Sequence, residues 1–366
     1  MTVTGILPAH EIEALMQGGV VGADRDFVDG QIQPASLDLR LGSRAFRVRA
    51  SFLPGPKRTV AQRLFELKFD EIDLYNKGKG AVLEKACVYV AEIEEWLKLP
   101  DTIGATANPK SSTGRLDVFT RIIADGTDRF DLIRRGYEGR LYAEVSPRTF
   151  PVLVRRGSRL AQIRFASGGS RLSDTELAEL HARETLVAGQ APEISSGIAV
   201  SVDLKGDSPN SVIGYRAKKY TNPLSIDKTA EYEIADFWEP LIASRDRTLI
   251  LDPDQFYILA SKEAVHVPPD YAAEMTPFDP LVGEFRVHYA GFFDPGFGHA
   301  AAGGHGSRAV LEVRSRDVPF ILEDGQTVAR LVYERLSARP KELYGSELGS
   351  HYQAQGLKLS KHFRMG

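Results

Sequence analysis

The sequence predicts a mainly β protein made of two tandem copies of one barrel-like or sandwich-like unit, with a few short helices. Three observations carry this. From Ala86 to Phe165 short apolar runs alternate with turn signals, broken clearly at Pro100-Asp101 and Arg156-Gly157, and many short strands at such spacing mean a barrel or sandwich. The chain also repeats itself: with Glu144 set on Glu312 and no gap, Ala143-Glu144-Val145 meets Leu311-Glu312-Val313, Pro151 meets Pro319 and Gly157 meets Gly325, which is the kind of self-similarity to seek before any other feature. Finally, Ala166-Ser167-Gly168-Gly169-Ser170 has the composition of a flexible linker. The 366 residues are long for one core, so units of about 1–170 and 171–366 are expected.

Taken in order, Ile6 to Met16 places apolar residues at helical spacing and stops at Gly18-Gly19, which predicts a short amphipathic helix. Gln33 to Gly42 alternates Leu37, Leu39 and Leu41 against Asp38 and Arg40, the pattern of a half-buried strand. Asp38 and Arg40 then read as a surface or cross-strand pair, because charges usually lie outside. Residues 43 to 80, with Pro54, Pro56 and a charged middle, give no clear element. Tyr89 through Pro100-Asp101 and Pro109 resembles Tyr257 through Pro269-Asp270 and Pro277, and Leu172 to Leu177 echoes the first helix.

Composition narrows the function classes. A net charge of -3 gives no basic footprint for duplex nucleic acid, though a local cluster of cations suffices for a small polyanion. Cys87 is the single cysteine, so no intrachain disulfide and no Cys-rich metal site is expected. The histidines have no ligand spacing. Met1 to Met16 lacks a basic segment followed by an apolar run, and no 18-residue apolar stretch exists to span a bilayer. A cytoplasmic protein is expected.

Chemistry concentrates between Pro109 and Glu144. Lys110-Ser111-Ser112-Thr113-Gly114-Arg115 groups two cations, three hydroxyls and a glycine, which suits an anion: Arg and Lys both pair with phosphate, Arg through its bidentate fork. It is not a Walker A loop, because no Gly-x-x-x-x-Gly-Lys-Ser/Thr occurs. Glu144 alternates with Ala143 and Val145 and faces away from them; it is either a paired strand carboxylate or a proton-transfer group. Tyr137 and Tyr142 read as core rather than as platforms for a base. In the second copy, Phe278-Asp279-Pro280-Leu281-Val282-Gly283-Glu284 replaces the grip, with both cations and all hydroxyls gone.

The helix ending in Gly-Gly, Gln33 to Gly42, Lys110 to Arg115, Gly136-Tyr137-Glu138-Gly139-Arg140-Leu141-Tyr142-Ala143-Glu144 and the closing Tyr344…His351-Tyr352-Gln353-Ala354-Gln355-Gly356…Leu359-Ser360-Lys361 resemble the dCTP deaminases of the trimeric dUTPase superfamily. The resemblance implies two dUTPase-like, distorted jelly-roll-like β-barrels and the hydrolysis of dCTP to dUTP and ammonia. It also implies Mg²⁺ carried with the triphosphate, and a homo-oligomer with sites between subunits. It puts Glu144 on the catalytic glutamate, Ser111 and Arg115 on the active-site serine and arginine, and Lys110 and Ser112 in the triphosphate grip. Ala124 falls in the segment lining the base pocket, while Tyr344 and Gln355 match residues that close over the nucleotide. For the family's aspartate, Asp128 has the right spacing and Asp131 competes; only the second copy, at Phe293-Asp294-Pro295-Gly296, keeps Asp-Pro-Gly. A zinc route with a His-x-Glu…Pro-Cys-x-x-Cys signature is not expected with one cysteine. A dUTPase, a bifunctional enzyme making dUMP and a non-catalytic nucleotide binder stay open as rivals. The polar tail from Gly345 to Gly366 reads either as a frayed terminus or as a lid that folds over the triphosphate.

Overall fold

The computed structural model describes residues 4–188, 191–208, 210–277, 285–288, 291–302, 304–315, 317–345 and 356–364. The chain is mainly β, as expected. In the first copy the strands run Leu132–Ile133, Ile103–Pro109, Arg159–Ser167, Ser36–Val48, Val88–Lys98, Glu138–Pro147 and Val118–Ala124, each antiparallel to its neighbour. The Ser36–Val48 strand serves two partners. Leu37 to Arg40 pair with Arg159–Ser167, and from Leu41 onward the strand pairs with Val88–Lys98. A strand that changes partner along its length turns the corner of a barrel-like sandwich.

That position explains a difference from the sequence reading. Leu37, Leu39 and Leu41 are buried as the alternation requires, but Asp38 and Arg40 are only 2% exposed. Both faces of this central strand are covered, so its charges are paired internally: Arg40 Nε donates to Glu95 at 2.7 Å, and Asp38 meets Lys110 and Arg159. The segment that the sequence left unassigned completes the strand to Val48. It then forms a helix, Val60–Leu67, with a Thr59/Gln62 capping box, and an edge strand, Lys68–Asp73. The first helix is Ala9–Gln17, ended by Gly18 and Gly19.

The second half of the chain forms two main sheets of its own. One runs Ile198–Ser201, Thr327–Arg335, Tyr271–Pro277 and Phe292–Phe293; the other runs Trp238–Ile242, Val212–Ala217, Phe256–Val265, Ser307–Ser315 and Phe285–His288. Its helix Asp174–Arg183 starts at a Ser173/Glu176 capping box.

The copies are packed into each other. The first copy's core continues into Trp238, Phe256, Ile258 and Val310 of the second, while the second also has its own core around Leu259, Leu311 and Tyr333. Across the junction Arg314 Nη2 donates to the Asp117 carboxylate at 2.7 Å and to Thr149 Oγ1 at 3.0 Å, all three buried. The Gly/Ser connection is also tied down rather than slack. Ser167 pairs with Gly5, and the Ser170 carbonyl accepts the Arg335 N–H at 2.7 Å. Among the described residues no helix is long and apolar enough to cross a membrane.

Candidate active site

Directly after the Ile103–Pro109 strand, Ser111–Gly114 makes one helical turn. The Lys110 carbonyl closes it by accepting the N–H groups of Thr113 (2.8 Å) and Gly114 (3.0 Å). Lys110, Ser111, Ser112 and Arg115 thereby line one cavity of about 430 Å³. The rest of its wall comes largely from the second copy, including Phe292, Phe293, Asp294, Phe297, Val310 and Glu312.

Glu312 stands on the Ser307–Ser315 strand between Leu311 and Val313, whose side chains fill the second core. It is 4% exposed. Burial without a fixed counter-charge disfavours ionisation, and its carboxyl is pushed up to about 8 by desolvation, with the Arg115 guanidinium pulling the other way. Asp294 follows the Phe292–Phe293 strand. Its carboxylate meets Arg164 of the first copy at 3.4 Å, and burial again raises its pKa. The Arg164 guanidinium is itself stacked on the Phe292 ring at 4.0 Å and donates to the Ala273 and Phe293 carbonyls. The first copy's buried arginine thus fixes the second copy's wall.

At the cationic end the buried Asp38 carboxylate bridges two positive groups, Lys110 Nζ on one oxygen and Arg159 Nη1 (3.4 Å) on the other. Lys361, from the tail, lines the same end, and burial together with Lys110 lowers its pKa. Residues 356–364 are strapped over the grip: Arg115 Nη1 donates to the Lys358 carbonyl at 2.9 Å, and Ser360 Oγ donates to the Ser112 carbonyl at 2.8 Å. Phe363 anchors the strap among Phe237 and Trp238, ring centroids 5.6 and 6.0 Å away. Tyr344 also lines the cavity, its ring 5.8 Å from Phe297 and its N–H on the Pro295 carbonyl. Gly296, at φ 95°, makes room there; a Cβ on it would lie 2.9 Å from Leu343 Cβ.

The structure therefore brings together Lys110, Ser111, Ser112, Arg115 and Tyr344, and it does not bring Glu144, Ala124 or Asp128 to them. Glu144 is 1% exposed and paired elsewhere: Oε1 accepts Arg121 Nη2 at 2.6 Å and Nε at 3.2 Å. That guanidinium lies over the Phe130 ring at 3.5 Å. Ala124 is buried in the Val118–Ala124 strand, paired with Leu141, and Asp128 is exposed in the following turn. Asp131 holds the backbone instead; at φ 62° its carboxylate accepts the Ile122 N–H at 2.7 Å, and burial pushes it up to about 7. Gln355 lies outside the described residues, as does the run 278–284 that replaces the grip in the second copy. The reason for the displacement is geometric. The cavity sits at the junction of the copies, so it takes the grip of one and the carboxylates of the other. Asp38, Arg159, Asp294, Glu312 and Lys361 were not assigned from the sequence. The available signal was Asp-Pro-Gly surviving only in the second copy, where Glu312 also survives.

Among the described residues no group of three or more His, Cys, Asp or Glu is placed to hold a metal ion. With one cation cluster for an anion and a raised carboxyl in a partly apolar cleft, the arrangement suits proton transfer to a bound polyanionic substrate.

The family model described as "2'-deoxycytidine 5'-triphosphate deaminase, N-terminal domain" matches residues 3–169, and that described as its C-terminal domain matches residues 173–363. A dCTP deaminase of Halorubrum lacusprofundi is 29% identical over 164 residues, covering 43% of this chain and 74% of the relative. A relative named "dCTP deaminase, dUMP-forming", of Methanobrevibacter smithii, is 28% identical over 165 residues, covering 44% and 79%. The crystal structure of 2'-deoxycytidine 5'-triphosphate deaminase from Agrobacterium tumefaciens is 60% identical and superposes with a TM-score of 0.87, over 91% of this chain and 99% of that one.

Proposed function

The chain belongs to the dCTP deaminase family, and from that premise we propose that it hydrolyses dCTP to dUTP and ammonia in the cavity between its two copies. The observation that carries this reading is that a cationic, hydroxyl-bearing grip and the Glu312 carboxyl line one enclosure. Lys110, Ser111, Ser112 and Arg159 hold the triphosphate, which enters with its Mg²⁺ as part of the substrate. Asp38 keeps Lys110 and Arg159 in place through ion pairs on its two oxygens. Asp294 seats the sugar, and Tyr344 closes over the nucleotide.

The chemistry needs a water at cytosine C4. Ionised Glu312 takes a proton from that water as the C4–O bond forms, and passes it to N3, giving a tetrahedral carbon. Glu312 then takes the proton of the new hydroxyl and delivers one to the amine as the C4–N bond breaks. Water and dCTP are consumed, dUTP and ammonia leave, and Glu312 ends as it began. A carboxyl near 8 suits this double duty, since both of its forms are accessible near neutral pH. Arg115 steadies the ionised form and the charge that develops on the ring. No step uses a protein-bound zinc.

The test is to incubate the protein with dCTP and Mg²⁺, follow ammonia and separate dUTP from dUMP. Equimolar ammonia and dUTP are expected, and stripping the protein with a zinc-selective chelator before restoring Mg²⁺ should leave the rate unchanged. Names such as that of the Methanobrevibacter relative support a second reading, in which dUMP is released. Ammonia with dUMP and pyrophosphate would establish it. Tight dCTP binding with neither product would contradict both.

A further inference from the structure

We infer that each chain carries one complete catalytic site and needs no residue from a second copy of the chain to build it. The inference rests on the deaminase reading above and adds its stoichiometry. The family resemblance implies sites shared between subunits, but here the grip and the carboxylates that face it belong to one polypeptide. Lys110, Ser111 and Arg115 come from the first copy and Asp294, Glu312 and Tyr344 from the second.

Contacts across the junction hold these parts in register. Arg164 of the first copy binds Asp294 and the Phe293 carbonyl of the second. Asn108 Nδ2 donates to Glu274 at 2.9 Å, and the Arg314–Asp117–Thr149 network is buried. The end of the chain returns to the first copy at Ser112 and Arg115. Together with the shared apolar core, these contacts make the enclosure a product of folding rather than of association.

Each chain holds one such site, not two. The first copy's equivalent carboxylate, Glu144, is taken by Arg121, whose guanidinium is backed by the Phe130 and Phe119 rings. The segment that would supply a second grip, 278–284, has no Lys, Arg, Ser or Thr in the sequence. The first copy keeps the grip, and the second supplies the carboxylates that face it.

A complementation experiment tests this. Ser111→Ala and Glu312→Gln chains, differently tagged, are co-expressed and purified together through both tags, beside each variant alone and the wild type. Melting curves check that each variant folds. Each variant alone should be strongly impaired, and the mixed preparation should stay at the variants' level. Sites built between chains would instead pair an intact grip with an intact Glu312, restoring about a third to a half of wild-type turnover in the doubly selected mixed oligomers; that recovery would overturn the inference while leaving the residue roles standing. If Glu312→Gln alone turned over dCTP like the wild type, the deaminase reading of the cavity would fail and the inference with it. As a second measurement, calorimetric titration of Glu312→Gln with dCTP and Mg²⁺ should give one nucleotide per chain; two per chain, or one per two chains, would contradict it.

Discussion

Glu144 and Glu312 occupy equivalent positions on equivalent strands, and what lies against each carboxylate separates them. Arg121 donates twice to Glu144; Glu312 faces a cavity, with the Arg115 charge only partly offsetting its desolvation, and is raised to about 8. Two consequences follow from that value. If ionised Glu312 is the base, kcat/KM for dCTP should rise with pH and level off above about 8; a profile flat from pH 6 to 9 would contradict this. For stability, the folded carboxyl binds a proton more tightly than the unfolded one, whose value is near 4.5. Between these limits the native state holds more protons, so this group costs increasing stability as pH rises. Glu312→Gln removes that cost, and its Tm should exceed the wild type's by a margin that grows from pH 5 to pH 8. At this scale the grip was legible, because Lys110 to Arg115 is a local signal. Glu312 was not, since its environment depends on a loop far away in the chain. For Asp38 the alternation leaves a surface pair and a cross-strand pair open; the structure has the cross-strand one, with Arg159, in a position covered because both faces of the strand are packed.

Among the elements, the tail strap links fold to function most directly. Ser360 and the Lys358 carbonyl hold the Ser112–Arg115 turn from outside the cavity. Ser360→Ala should raise the KM for dCTP several-fold with a smaller change in kcat, and lower stability by about 1–3 kcal/mol, since the hydroxyl contacts both the Ser112 carbonyl and His362 Nδ1. Unchanged KM would show that the turn keeps its shape unaided. Phe363→Ala should cost more, about 3–5 kcal/mol, because it empties a fully buried aromatic position; urea unfolding measures both. The sequence showed the first helix, the Leu37–Leu41 alternation and the many short strands. It did not show the Val60–Leu67 helix, although Thr59 and Gln62 before an apolar turn were the available sign of a capping box. Nor could composition show that the Gly/Ser connection is pinned, since that depends on pairing with Gly5 and Arg335.

At the scale of the molecule, the repeat was visible in the sequence but its meaning was not. Reading each copy alone makes the second a degenerate version of the first, because its grip is gone. In three dimensions the losses are complementary: the first copy keeps Lys110 to Arg115, the second keeps Asp294 and Glu312, and the cavity joins them. Packing of one copy on the other is long-range information that local patterns do not hold. The most direct test is therefore a matched pair of substitutions, Glu312→Gln and Glu144→Gln, compared for dCTP turnover at saturating substrate. Glu312→Gln should fall by about 10²–10⁴-fold, the range for loss of a general acid–base group, while still binding dCTP, and Glu144→Gln should keep most of its turnover. The opposite ranking, with Glu144→Gln inactive and Glu312→Gln near wild type, would contradict a site composed of one copy's grip and the other copy's carboxylate.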